Sequence, residues 1–131
     1  MKILVVDDDP LIRKSFQHIL SLEGHEVMIA EDGLVASEQL AKQIPEIIIC
    51  DMLMPEVSGL SFIKMLREHL HFDIPVIIIS TLDKGDIIAA NLGLKNIDFM
   101  PKPILFADLI QKVKNYSNKN QYENSSSKPI K

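Results

Sequence analysis

Residues 5–10 read VVDDDP, so three consecutive carboxylates, Asp7, Asp8 and Asp9, follow directly on an apolar run that begins at Ile3. Asp51 closes another apolar run, Ser80 and Thr81 close a third, and Lys102 follows a fourth through Pro101. Asp9 is accounted for as a helix N-cap with Pro10 in the first helical position. Asp7 and Asp8 need a different reason. Two unit charges about 4 Å apart repel by roughly 4 kcal/mol at an effective dielectric of about 20. A hard divalent cation relieves that repulsion: Mg²⁺ takes oxygen ligands, keeps several waters and uses one or two carboxylates alongside a phosphate.

DDDP alone reads better as a solvated turn with one capping residue. What tells against that reading is that Asp51 and Lys102 stand at equivalent ends of other strand segments. Each also has a structural explanation of its own: Asp51 as a strand end, Ser80 as a helix start that Thr81 can replace, Lys102 as a surface lysine. Asp51, however, directly follows four apolar residues, and prolines flank Lys102 and pin the backbone where its side chain leaves the strand.

The elements that must position these residues alternate along the chain. Short runs rich in β-branched residues lie at 3–6, 27–30, 47–50, 76–79 and 97–100, each followed by a segment of helical periodicity. Ile12, Phe16, Ile19 and Leu20 form one apolar stripe, with Gly24 as its stop; Ile63, Leu66 and Leu70 form another, and Phe106, Leu109, Ile110 and Val113 a third. The second and fourth helical segments, at 33–43 and 83–92, are less cleanly amphipathic. Five strands alternating with five helices predict a parallel sheet covered on both faces, an α/β doubly wound sandwich. In such a sheet ligands bind beyond the carboxyl ends of the strands, which is where Asp7, Asp8, Asp51, Ser80 and Lys102 fall.

Composition narrows the function. The chain of 131 residues has the size of one domain, residues 1–115, and the polar segment 116–131 is expected to be a disordered tail or linker. No apolar stretch approaches the roughly 18 residues of a membrane span, and MKILVV lacks the long apolar core of a secretory signal. Together with a single cysteine, Cys50, this predicts a cytoplasmic protein. A net charge of −4 speaks against direct nucleic-acid binding.

Five motifs in order, ILVVDDDPLIR, IIICDMLMPEVSG, PVIIIST, IDFMPKP and the βα periods between them, resemble the receiver domain of bacterial two-component response regulators. The resemblance implies a flavodoxin-like strand order 2-1-3-4-5. It makes Asp51 the phosphoacceptor, and Asp7, Asp8, Asp51 and the Met52 main-chain carbonyl the Mg²⁺ ligands. It makes Lys102 the phosphate-pairing lysine, Ser80 the switch hydroxyl and Phe99 the switch aromatic. The implied donor is a phosphohistidine on a histidine kinase or phosphotransfer protein, and the implied activity is that of a signalling module that catalyses its own phosphorylation and dephosphorylation. The face formed by the fourth helix, fifth strand and fifth helix, including Ile87, Ile88 and Leu105, is expected to bind a downstream protein target, a missing output domain or a second copy of the chain.

The chain departs from the family pattern in places. Thr81 stands where a small residue is usual, Phe99 lacks a tyrosine hydroxyl, Lys95 and Asn96 replace Gly-Ala, and Pro101 precedes the lysine. Leu53 and Leu82 occupy positions at which the family tunes reaction rates, and neither can position a water, which implies a long-lived phosphoryl group. Two other functions compete with this one. An aspartyl-phosphate phosphatase usually carries a second Asp two residues after its nucleophile, where this chain has Leu53. A phosphorylation-independent interaction domain has no need of Asp7, Asp8, Asp51, Ser80 and Lys102 together.

Overall fold

The structure, a computed structural model, describes residues 1–52, 59–68, 73–80 and 96–127. Five strands, β1 (Lys2–Val6), β2 (Glu26–Ala30), β3 (Ile47–Asp51), β4 (Val76–Ser80) and β5 (Ile97–Pro101), form one parallel sheet in the order β2-β1-β3-β4-β5. The described residues carry four helices, α1 (Pro10–Leu22), α2 (Gly33–Lys42), α3 (Gly59–Glu68) and α4 (Phe106–Ser127). The fourth helical segment expected at 83–92 lies outside the described residues, so α4 is the fifth helical segment of the sequence.

Side chains alternate along each strand, and the alternation separates two cores. Leu4, Val6, Ile48, Cys50, Val76 and Ile78 pack with Ala36 and Leu40 of α2 and Phe62, Ile63 and Leu66 of α3. Ile3, Val5, Ile47, Ile49, Ile77 and Ile79 pack with Phe16 and Leu20 of α1 and Leu109 and Val113 of α4. The central strands therefore read as uninterrupted apolar runs: both of their faces are buried. β2 and β5 lie at the edges and are less buried.

Helix ends follow local chemistry. The Asp9 carboxylate accepts the Leu11 N–H at 2.9 Å, and Pro10 opens α1 as expected. At the other end His25 N–H donates to Leu20 O and Gly24 N–H to Ser21 O, a Schellman closure in which Gly24 takes φ +91°. The last helix departs from expectation. It continues to Ser127, so the position 115 expected as a boundary falls inside it. Asn and Ser are poor helix formers, but no Gly or Pro interrupts the chain from Phe106 to Ser127, and α4 is already nucleated on the sheet by Leu109 and Val113. Among the described residues no helix is long and apolar enough to cross a membrane.

A Cβ at Gly24 would meet nothing within 4 Å, so its substitution isolates backbone strain. Gly24→Ala is expected to lower the unfolding free energy by about 1–2 kcal/mol in urea denaturation. An unchanged midpoint would mean that the positive φ carries no cost here.

Candidate functional site

The alternation that separates the cores also sorts the polar residues at the strand ends. Asp51 continues the series Ile47 and Ile49 toward the α1 and α4 side, and Asp7 follows Ile3 and Val5. Ser80 continues Val76 and Ile78 toward the α2 and α3 side, where Met52 is also buried. Main-chain bonds extend the ladder past the strand ends and set these positions: Asp7 N–H donates to Ala30 O (3.1 Å), Met52 N–H to Ile79 O (2.9 Å) and Lys102 N–H to Ser80 O (2.9 Å).

The structure brings Asp7, Asp8 and Asp51 together, with one carboxylate oxygen from each lying within 4.8 Å of the others. Asp7 and Asp51 are buried and Asp8 is exposed. Lys102 Nζ lies 3.1 Å from Asp51 Oδ1, so the lysine expected to pair with a phosphate here faces the expected phosphoacceptor. The Lys102–Pro103 peptide bond is cis. Ser80 Oγ donates to Met52 Sδ at 3.3 Å. Phe99, half-buried on β5, packs against the core that contains Met52. Leu53, Thr81, Leu82, Ile87, Ile88 and Lys95 lie outside the described residues.

Several contacts hold the acidic turn in shape. Asp7 Oδ1 accepts the Asp9 N–H at 2.9 Å, and Arg13 Nη1 donates to the Asp7 carbonyl at 2.7 Å. Gly59 N–H donates to Met52 O at 2.7 Å, which engages one lone pair of the carbonyl expected to bind metal and leaves its second. A Cβ at Gly59 would lie 2.6 Å from Asp51 O and 2.9 Å from Met52 Cα. That close approach requires glycine, because the start of α3 presses on the main chain at the end of β3. Sequence reasoning missed Arg13 and Gly59 as site residues, although both stand inside motifs it quoted, LIR and EVSG. Asn96, just before β5, takes a positive φ (56°), a conformation that Asn tolerates better than most residues.

The electrostatics follow from burial. Asp7 adjoins an apolar cleft of about 470 Å³ whose walls include Ile12, Phe16, Ile79, Ile104 and Phe106. Loss of solvent there, with repulsion from Asp51 adding to it, pushes the Asp7 carboxyl up to about 6, against the opposing pull of the Asp9 N–H and Lys102. The three converging side chains offer hard carboxylate oxygens. Two such ligands on opposite sides of Mg²⁺ would stand about 4.2 Å apart, so a spread within 4.8 Å fits that ion with small adjustment.

The response regulator receiver domain model matches residues 3–114. The response regulator MprA of Mycobacterium leprae is 32% identical over 114 residues, which cover 87% of this chain and 50% of that protein. The receiver domain of the Francisella response regulator 1452 is 30% identical with a TM-score of 0.81, over 91% of this chain and 98% of that one. The response regulator TrrA of Thermotoga maritima, solved in complex with Mg(2+)-BeF, is 29% identical with a TM-score of 0.75, over 88% of this chain and 97% of that one. The chain belongs to the response regulator receiver domain family of two-component signalling. It spans about half the length of the curated relatives it matches.

The raised Asp7 carboxyl makes a signed prediction. A carboxylate whose pKa rises from 3.8 unfolded to about 6 folded contributes stability that is fully present below 3.8 and is lost as pH rises through about 6. In metal-free buffer, the wild-type minus Asp7→Asn difference in unfolding free energy should fall by at most about 3 kcal/mol between these limits. Mg²⁺ should restore the wild type at neutral pH. A difference that does not vary with pH would show that Asp7 is not desolvated.

Proposed function

We propose that Asp51 accepts a phosphoryl group from a phosphohistidine of a histidine kinase or phosphotransfer protein. Asp7, Asp8, Asp51 and the Met52 carbonyl would hold Mg²⁺. The observation that carries this reading is the convergence of the Asp7, Asp8 and Asp51 carboxylate oxygens within 4.8 Å, with Lys102 Nζ 3.1 Å from Asp51. The sequence-matched family and the Mg(2+)-BeF complex of the Thermotoga maritima relative support it.

In the proposed step an Asp51 carboxylate oxygen attacks phosphorus. A new O–P bond forms as the N–P bond of the donor breaks, and the departing imidazole keeps the electron pair and takes up a proton. Mg²⁺, when bound, supplies positive charge opposite the phosphoryl oxygens. Asp7 and Asp8 are there to hold the cation rather than to attack. Lys102 exchanges its bond to Asp51 for one to a phosphoryl oxygen, a short transfer for a flexible ammonium that already faces the carboxylate. The Asp9 cap and the Arg13 bond keep the acidic turn in place during this exchange, and the Gly59 contact does the same for the Asp51–Met52 main chain.

The signal then passes through Ser80 and Phe99. The Ser80 hydroxyl moves to the phosphoryl group, and Phe99 follows into the space it leaves, which biases a two-state packing. The proposed partner face includes β5 and α4; Ile87 and Ile88, expected from the sequence to belong to it, lie outside the described residues. Leu105, at the start of α4, is 64% exposed, as a contact residue must be. The occupants of that face are a downstream protein, an output domain or a second copy of the chain. With leucine at positions 53 and 82, the phosphoryl group persists.

Incubation with Mg²⁺ and a small phosphodonor, followed by intact-mass measurement, tests this function. The wild type should gain one phosphoryl mass, chelation of Mg²⁺ should prevent the gain, and Asp51→Asn should abolish it. A gain that survives Asp51→Asn, or no gain even with a kinase donor, would reject the proposal.

A further inference from the structure

Ser80 and Met52 are both buried, 2% and 3% exposed, and the Ser80 hydroxyl donates to the Met52 sulfur at 3.3 Å. The main chain fixes this pairing. Met52 N–H is bonded to Ile79 O, the residue before Ser80, at 2.9 Å, and Met52 O is bonded to Gly59 N–H at 2.7 Å. The Met52 backbone is thus tied on both sides, with Gly59 packed too closely to permit a Cβ, and its side chain starts from a fixed point toward Ser80.

We propose that the Met52 thioether is a resting-state latch that positions the Ser80 hydroxyl, so that the ease of its release sets how readily the phosphorylated state is reached. This inference rests on the proposed phosphoacceptor role of Asp51. A thioether is a weak hydrogen-bond acceptor, whereas a phosphoryl oxygen is charged and forms a bond roughly twice as strong as a neutral one. The exchange of partners therefore favours the phosphorylated state. A carbonyl or amide oxygen in place of the sulfur would hold the hydroxyl more tightly and resist switching. A purely aliphatic side chain would accept no hydrogen bond from it and so would lower the cost of moving the hydroxyl from its resting position. Met52 acts through Ser80 in this account, as a positioning residue.

A double-mutant cycle tests it, with Mg²⁺ and beryllofluoride as the phosphoryl surrogate and binding measured by calorimetry. Met52→Leu conserves volume and deletes the acceptor. It should tighten surrogate binding about two- to fivefold, the size expected for loss of one weak hydrogen bond from the resting state. In a Ser80→Ala protein the same Met52→Leu change should alter binding by less than about 1.5-fold. An effect of equal size in both backgrounds, or weaker binding on Met52→Leu alone, overturns the latch. If a substituted protein fails to fold, biosynthetic replacement of methionine by norleucine, with and without Ser80→Ala, makes the same comparison. Failure of the wild type to bind the surrogate overturns the phosphoacceptor reading and the latch with it, whereas binding without coupling overturns the latch alone.

Discussion

Mutual repulsion among the Asp7, Asp8 and Asp51 carboxylates, held with oxygens within 4.8 Å of one another, is the constraint on which the rest of the structure depends. A flexible loop would relieve it by moving apart. Here Asp7 and Asp51 cannot do so, because they stand at the ends of adjacent strands whose apolar residues are buried on both faces. The sheet thus supplies the rigidity that keeps the acidic group assembled. Lys102 offsets part of its charge, and a cation would offset more. Burial is the larger cause of the raised Asp7 carboxyl, and repulsion from Asp51 adds to it.

The same strand geometry divides the site into two halves. On the α1 and α4 side stand Asp7, Asp51 and Lys102, the groups that carry charge. On the α2 and α3 side stand Ser80 and Met52, the groups proposed to register a change in that charge. One side can therefore undergo a chemical event while the other repacks. The link between them is short, since Asp51 and Met52 are consecutive and Ser80 pairs with the strand end through Ile79. In the proposed switch, a local exchange of hydrogen bonds would reach Phe99 through the core it shares with Met52.

Much of this architecture was legible in the sequence. Uninterrupted β-branched runs and helical stripes carry periodic information, and the strand order and the convergence of Asp7, Asp8, Asp51 and Lys102 follow from them together with the family resemblance. Other contacts have no periodic signal. The Arg13 bond to the Asp7 carbonyl depends on where one turn of α1 lies above a strand end, and the need for glycine at position 59 arises only when α3 meets the Asp51 main chain. The Met52 sulfur could not be read as a partner of Ser80, because methionine in an apolar run looks like core. Composition likewise does not locate the end of the last helix, because polar residues 116–127 suit a tail yet do not stop a helix already anchored by Leu109 and Val113.

The central claim is that the convergent carboxylates divide their labour, with Asp51 reacting while Asp7 and Asp8 hold the cation. Borohydride reduction of the phosphorylated protein converts an aspartyl phosphate to homoserine, which peptide mass spectrometry then places in the sequence. The account predicts homoserine at position 51 and at no other aspartate. Homoserine at position 7 or 8, or its absence from a protein that carries the phosphoryl mass, would contradict it.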